Sequence, residues 1–294
     1  MTLYALRLAI HYDFARPTGA GRQLFRILPA QMPGVQRLIQ SRVILAPAPA
    51  ERLEFTDFFG TRVIEVAMPP GLTRLDLVLE AEVERARAEP ELDMSPKVAA
   101  LAAELADWRD VGPASPHHFR APSRRIPPMA AVESFAAAAT KGARTVQEAV
   151  IALGEALHGH MTFDAKATEV DTSPAHAFAL RRGVCQDFAQ IMVGGLRSLG
   201  IPAAYVAGYL RTRPPPGKPR LVGADAMHAW VRAWAGAEAG WIDYDPTNAC
   251  QAGADHIDVG FGRDYGDVAP VTGMLRLDGS QAGSHSVDIV ESVG

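Results

Sequence analysis

The chain of 294 residues is 48% hydrophobic and 21% charged, which excludes an intrinsically disordered protein and predicts two folded domains. Its 29 Lys and Arg residues against 33 Asp and Glu residues give a net charge of −4, so charge does not favour binding to nucleic acid or an anionic membrane. Only two cysteines are present, which is too few for a disulfide framework or a four-cysteine zinc site.

The amino-terminal stretch MTLYALRLAIHYDF lacks the continuous apolar core of a signal peptide. No later segment reaches about 18 uninterrupted apolar residues, the length that a membrane-spanning helix needs. These observations predict a cytoplasmic protein with no nucleic-acid or membrane partner. Small molecules or polypeptides remain as partners, and the pattern gives no prediction of oligomeric state.

The first 90 residues carry the alternation of half-buried β-strands. Apolar side chains occupy the even positions of residues 4–14 and the odd positions of residues 75–83. Shorter strand candidates lie between them, at residues 41–45 and 61–68. The pattern predicts an antiparallel β domain over residues 1–89, with a sandwich as its architecture.

A helical and proline-rich linker is predicted over residues 90–130. In the stretch SPKVAALAAELADW, Ser95 is placed to cap a helix whose first residue is Pro96. Five prolines then fall within residues 113–128, which favours an irregular connection.

Residues 131–294 are predicted to form a second unit in which helices precede strands, so the overall class is α+β. Thr145 and Glu148 have the spacing of a capping box at the start of one helix. The strand patterns AAYVAGYL, MHAWVRAW and WIDYD follow later in the chain. Between the first two, the run Pro214 to Pro216 predicts a stiff extended loop that borders a groove or simply joins two strands.

The stretch RRGVCQDFAQIMVGGLRSLGIP predicts an apolar helix with Cys185 in its first turn. Unpaired N–H groups and the positive end of the helix dipole favour a thiolate there, which is one route to a nucleophile. The alternative is a small buried residue that only packs, as free cysteines often do. Gly194 and Gly195 weaken the middle of this helix, which suggests that another backbone packs closely against it.

A nucleophilic cysteine needs a base and a group that orients the base. Strand alternation places His228 on one face of its strand, and Asp243 and Asp245 share one face of the next. If the strands pair with Trp234 opposite Trp241, or slip by two residues, all three lie on a common face. Alone, His228 could be structural, and Asp245 before a proline could be a turn residue.

The strings GVCQDFAQ, RSLGIPAAYVAGYL, DAMHAWVRAW and WIDYDPTN resemble the bacterial branch of the transglutaminase-like superfamily, whose members are often described as proposed cysteine proteases. The resemblance extends to HIDVGFGRDYGDVAPVTG and to the β-rich amino terminus. It implies that Cys185 is the nucleophile, His228 the general base and acid, and Asp245 the orienting residue, with Asp243 in reserve. Animal transglutaminases usually have a tryptophan after the nucleophile, where this chain has Gln186, and this difference argues against protein cross-linking.

The resemblance also implies a papain-like or transglutaminase-like core, in which the cysteine helix packs on an antiparallel sheet that carries the His and Asp. Such an enzyme would act on a polypeptide or peptide-like amide through a thioester, without a cofactor or metal. Hydrolysis is the favoured outcome, because cross-linking needs a site that excludes water. Acyl transfer to an amine is the alternative.

Two other classes compete with this interpretation. A zinc site could draw on several possible ligands, although no HExxH motif or close CxxC pair is present. A catalytically silent binding module could keep the fold without the chemistry. The possible zinc ligands are Cys185, His228, Asp245, Cys250 and His256.

Overall fold

The structure is a computed structural model that describes residues 1–86, 92–212, 223 and 225–292. The predicted loop at Pro214 to Pro216 lies outside these residues. The α-helices are α1 (Leu101–Asp107), α2 (Ala130–Ala139), α3 (Val146–His160), α4 (Pro174–Leu180), α5 (Cys185–Ser198) and α6 (Tyr265–Val268), and 3-10 turns span Val98–Ala100 and Pro116–Phe119. The strands are β1 (Thr2–Phe14), β2 (Gly21–Phe25), β3 (Gln36–Ala46), β4 (Glu51–Thr56), β5 (Arg62–Met68), β6 (Arg74–Arg85), β7 (Thr162–Phe163), β8 (Arg182–Gly183), β9 (Ala203–Leu210), β10 (Ala226–Trp234), β11 (Trp241–Asp245), β12 (Cys250–Gln251), β13 (His256–Gly262), β14 (Val271–Leu275) and β15 (Gln281–Glu291).

The amino-terminal part is the predicted antiparallel β-sandwich. One sheet has the order β15-β1-β6-β3 and the other has the order β14-β2-β5-β4. Leu8 lies opposite Leu79 in the first sheet, and both side chains are fully buried against the second sheet's Val66 and Ile64 in one apolar cluster. The apolar residues that alternate along the sequence therefore lie on the buried face of the sheet, as expected for a two-layer β domain.

The end of the chain returns to this sandwich. Strand β14 pairs with β2, and β15 pairs with β1 along its full length, from Gln281 opposite Phe14 to Glu291 opposite Tyr4. The sequence pattern did not predict either strand. The domain predicted over residues 131–294 thus ends in strands that complete both sheets of the sandwich.

The connection between the two units differs from the prediction at its first helix. The helical turn starts at Val98 rather than at Pro96, and Ser95 is not its cap. Instead, the Ser95 hydroxyl accepts a 3.0 Å hydrogen bond from Gln147 N at the start of α3. The predicted cap Thr145 is confirmed, since its hydroxyl accepts a bond from Glu148 N.

The second unit is the predicted helix-on-sheet core. Its sheet has the order β12-β11-β10-β9-β13, and α5 packs on β9 and β10 with α2, α3 and α4 around it. The glycines in α5 do admit close neighbours, but these are side chains rather than backbone. A Cβ at Gly194 would lie 2.6 Å from Met129 Cε, and one at Gly195 would lie 3.2 Å from Ala136 Cβ.

The two units share apolar and polar contacts. Tyr209, Ile257 and Val259 from the core belong to the apolar cluster of the sandwich. The Tyr209 hydroxyl donates a 2.6 Å hydrogen bond to the carbonyl oxygen of Ile27, and Arg85 at the end of β6 forms a buried ion pair with Asp258. These contacts hold the sandwich against the edge of the sheet that carries the predicted site.

Candidate active site

Cys185 is the first residue of α5, and its position is set by a buried carboxylate. Asp187 Oδ2 accepts a 2.8 Å hydrogen bond from Val184 N and a 2.6 Å bond from Thr168 Oγ1. Burial raises the pKa of Asp187, and the two hydrogen bonds oppose that shift. A Cβ at Gly183 would lie 2.5 Å from the same oxygen, so only glycine leaves room for this cap. The helix therefore begins at Cys185, which is partly exposed at its amino-terminal end.

The hairpin of β10 and β11 adopts the register that the sequence allowed, with Trp234 opposite Trp241. It brings His228 and Asp245 together: His228 Nε2 lies 2.8 Å from Asp245 Oδ2, and both side chains are buried. Burial lowers the pKa of His228, but the hydrogen bonds and charges of Asp245 and Cys185 outweigh it and raise that pKa to about 10. The Cys185 thiol thus lies beside the imidazole, whose Nε2 is already engaged by the carboxylate.

Asp245 is both a turn residue and the partner of the histidine. Its Oδ1 accepts hydrogen bonds from the backbone N–H groups of Thr247 and Asn248, at 2.9 and 3.2 Å. Its Oδ2 accepts a further 2.7 Å bond from Asn248 Nδ2. Although burial alone would raise the pKa of Asp245, the histidines and these donors hold it well below its ordinary value. The carboxylate therefore stays ionised in a buried position.

A second histidine also binds this carboxylate. His256 Nε2 lies 3.1 Å from Asp245 Oδ2, and Gly253 N donates a 3.2 Å hydrogen bond to His256 Nδ1. Because Nδ1 accepts, the neutral ring carries its proton on Nε2 and donates it to Asp245. The sequence analysis considered His256 only as a zinc ligand, and its place in a third, distant strand gave no signal for this contact.

One group of side chains among the described residues could hold a metal ion, and it bears on the zinc alternative. Its possible ligand atoms, from His228, Asp245 and His256, lie within 4.8 Å of one another. Imidazole and carboxylate are suitable ligand types. Here, however, each of the three groups already has a hydrogen-bond partner of the right kind, and neither Cys185 nor Cys250 belongs to the group. The donor set is thus that of a hydrogen-bonded network.

Asp243, the reserve candidate, has other partners. Arg232 donates to both its oxygens, at 2.6 and 2.7 Å, and Trp230 Nε1 donates at 3.3 Å. Burial raises the pKa of Asp243, but the Arg232 charge outweighs it and lowers that pKa. Arg232 also pairs with Asp258 at 2.8 Å. The structure therefore brings Asp245, and not Asp243, to the histidine.

Gly208 permits the close packing behind the histidines. It lies opposite His228 in the sheet, and a Cβ there would lie 2.5 Å from the ring of Trp230. The Trp230 ring occupies the space that a side chain at this position would fill. It packs edge to face on the His256 ring, with the ring centroids 5.1 Å apart. The indole thereby contacts both groups, since its Nε1 donates to Asp243 while its ring packs on His256.

Cys250, the other cysteine, lies opposite Asp245 in the short pairing of β11 and β12. Although the residue as a whole is exposed, partial desolvation of its thiol and the nearby Asp245 carboxylate raise the pKa of Cys250 to about 11. Such a thiol is protonated at neutral pH and is a poor nucleophile. The two cysteines therefore differ in their surroundings.

A cavity of about 190 Å³ opens above Cys185 and His228. The sandwich contributes to its walls through Arg26, which follows β2, and through His285 on β15. Further lining residues come from the core: Val184, Gln186, Tyr205, Ala207, Gly208, Tyr209, Met227, Ala229, Val259, Tyr265 and Pro270. The site is thus a cleft between the two units.

None of the helices in the described ranges is long and apolar enough to cross a membrane. The cytoplasmic location stays a prediction of the sequence.

Two family models match most of these elements. One, described as transglutaminase-like superfamily, matches residues 133–246, and the other, described as bacterial transglutaminase-like N-terminal region, matches residues 4–84. An uncharacterized protein of Mycobacterium tuberculosis (strain ATCC 25618 / H37Rv) is 32% identical over 268 residues, which cover 88% of this chain and 83% of the relative. A protein-glutamine gamma-glutamyltransferase of Pseudomonas aeruginosa is 40% identical over 87 residues, which cover 29% of this chain and 13% of that protein.

The fold also matches a solved structure. The crystal structure of a proposed cysteine protease from Cytophaga hutchinsonii has a TM-score of 0.75, covering 100% of this chain and 91% of that chain at 20% identity. At that identity the likeness concerns the fold.

Proposed function

This chain belongs to the transglutaminase-like superfamily, and we propose that it is a thiol enzyme that hydrolyses amide bonds in polypeptides or peptide-like substrates. Cys185 is the nucleophile, His228 the acid and base, and Asp245 the residue that orients the imidazole. The observation that carries the proposal is the position of His228, which lies between a thiol at a helix start and a buried, ionised carboxylate.

The chemistry follows from the protonation states. With a pKa of about 10, His228 is an imidazolium at neutral pH, and it stabilises a thiolate at Cys185. The thiolate attacks the carbonyl carbon of the amide, forms a carbon–sulfur bond and sends the carbonyl electron pair to oxygen. When the tetrahedral intermediate collapses, His228 gives its proton to the leaving amine, and a thioester remains on Cys185.

Water resolves the thioester in the proposed reaction. Neutral His228 takes a proton from the attacking water, and the collapse releases a carboxylic acid and restores the thiolate–imidazolium pair. Cys185 is partly exposed, so water has access to the thioester. An amine in place of water would give acyl transfer, the second candidate, which the short match to a glutamyltransferase keeps open.

The first test is the pH dependence of iodoacetamide alkylation, with the modified cysteines located by mass spectrometry. We expect Cys185 to react rapidly well below pH 8, and His228→Ala to lose this reactivity. Cys250 is an internal control in the same molecule, because its pKa of about 11 keeps it slow at neutral pH. An inert Cys185, or equal rates in both proteins, would contradict the catalytic role and favour a binding module.

The second test separates hydrolysis from transfer. A peptide and isopeptide library is incubated with the protein, with and without a primary amine, and the products are identified by mass. We expect free acids even when the amine is present, and no product with Cys185→Ser. Amide products that replace the acids would mean that the enzyme is a transferase.

A further inference from the structure

We propose that the Tyr205 hydroxyl is a donor to the oxyanion that forms when Cys185 attacks a carbonyl group. This inference rests on the proposed function. An oxyanion needs donors fixed in advance, and the backbone N–H of Cys185 at the start of α5 supplies one of them. A second donor must come from the walls of the cleft.

Tyr205 lies in β9, opposite Val231 and Gly262, and only 2% of the residue is exposed. A buried tyrosine hydroxyl normally has a hydrogen-bond partner. Among the described residues, none provides one for Tyr205. The hydroxyl oxygen is not fully enclosed by protein atoms. It is therefore open to the cavity that Tyr205 lines with Cys185.

The surroundings keep this hydroxyl protonated. Burial raises the pKa of Tyr205 well above its ordinary value, and the largest contribution from a charged neighbour comes from Cys185. The phenol is therefore a neutral donor at every pH at which the thiol can act, and it lies within electrostatic reach of the nucleophile. A donor that is held in place by its buried ring and has no partner among the described residues needs little reorganisation when the oxyanion appears.

Two other side-chain donors that line the cleft already have partners. Gln186 Nε2 donates to the carbonyl oxygen of Val170 at 3.0 Å, and the Tyr209 hydroxyl donates to Ile27 at 2.6 Å. Tyr265 packs against Arg125, whose guanidinium carbon lies 5.2 Å from the ring centroid, and burial is the main cause that raises its pKa. Tyr205 is the remaining phenol next to the nucleophile.

The test compares two reactions of one thiol. In the acylation burst with p-nitrophenyl acetate, the thiolate adds to the carbonyl carbon, an oxyanion forms, and its collapse expels p-nitrophenolate. Alkylation by iodoacetamide instead displaces iodide at a saturated carbon and forms no oxyanion. For Tyr205→Phe we expect the burst rate constant to fall about 10²-fold, with the alkylation rate unchanged.

Tyr244→Phe is the matched control, since it removes another buried phenol that has no hydrogen-bond partner among the described residues, at a position that does not line the cleft. We expect both of its rates to stay within about threefold of wild type, and thermal unfolding to confirm that both variants fold. A burst rate for Tyr205→Phe within threefold of wild type, or a parallel fall in both reactions, overturns the assignment. Failure of the proposed function has a different result, namely a wild-type Cys185 that does not react with iodoacetamide.

Discussion

Asp243 and Asp245 lie two residues apart on one strand, Asp243 half-buried and Asp245 fully buried, and they have opposite kinds of partners. Asp243 binds the permanent cation of Arg232 and an indole N–H. Asp245 binds two histidines, His228 and His256, and the turn that follows it. One carboxylate therefore belongs to a fixed ion pair, and the other contacts a group whose proton can move.

The difference shows that strand parity determines on which face of the sheet a carboxylate lies. Its role depends on the side chains that contact it. An arginine stays charged at any pH that a protein survives, so the Asp243 pair can only contribute to structure. A histidine can gain and lose a proton during a reaction, so the Asp245 pair can also take part in catalysis. Four predictions would test this division of roles.

The largest effect is expected for Asp245→Asn. The amide lacks the negative charge that raises the pKa of His228, so it weakens the thiolate–imidazolium pair. We expect the acylation rate with p-nitrophenyl acetate to fall by up to about 10⁴-fold while the protein stays folded. Asp243→Asn is the matched control, for which we expect a loss of stability and an acylation rate within about tenfold of wild type. The opposite result for the pair would assign the orienting role to Asp243.

Arg232→Met should have the next largest effect, this time on stability. Removing the guanidinium leaves the half-buried Asp243 without its cation and the buried Asp258 with Arg85 alone, and we expect the free energy of unfolding to fall by about 3–5 kcal/mol. Urea unfolding measures this change. Arg182→Met breaks an exposed pair with Asp164 and should change stability by less than about 1 kcal/mol. Equal losses would mean that the buried network carries no special weight.

His256 should have a smaller effect on activity. His256→Leu removes a hydrogen bond to an ionised carboxylate, a contact worth about 1.5–3 kcal/mol, so we expect the acylation rate to fall roughly 10- to 100-fold. His256→Gln keeps an N–H donor and should recover most of the rate, whereas a purely steric role would leave both variants equally impaired. The iodoacetamide pH profile should also change only in the leucine variant.

The smallest expected effect is the change in the free energy of unfolding with pH that His228 causes. The pKa of His228 is about 10 in the folded protein and about 6.5 in the unfolded chain, so the folded state holds an extra proton between these values. Stability from this group is complete below pH 6.5 and is lost as the pH rises towards 10, by at most about 1.4 kcal/mol per pH unit. A thiolate at Cys185 would release a proton that offsets this gain, so the comparison is made without the thiol. Unfolding of Cys185→Ala and of Cys185→Ala with His228→Gln at pH 7, 8 and 9 measures the contribution of His228, whose pKa Asp245 still raises. Equal slopes would contradict the raised pKa.

The sequence predicted the parts of the site that depend on local order. The helix start at Cys185 follows from apolar spacing, and the His228 face follows from alternation and a short hairpin. It did not separate Asp243 from Asp245, because both share a face and only the position of Arg232 and of the turn after Asp245 decides between them. It missed His256 as a partner of Asp245, since β13 reaches the site across β9, and no local pattern reports that pairing.

The sequence predicted the strands of the sandwich that alternate clearly and missed most of those at the edges of its sheets. Strands such as β1 and β6 alternate clearly, whereas β4 is exposed along its whole length, and β15 is exposed over its first six residues. Strands at the edge of a sheet need little apolar alternation, so their sequences carry a weak signal. Pairing between the two ends of the chain is set by tertiary contacts alone.

That pairing has a consequence for how the protein is made. Strand β15 joins β1 across more than 260 residues, and non-local contacts of this kind form slowly and late. During synthesis, the first sheet lacks its edge strand and the cleft lacks His285 until residues 281–291 have left the ribosome. The order of translation thus delays completion of the cleft until long after Cys185 and His228 have been made.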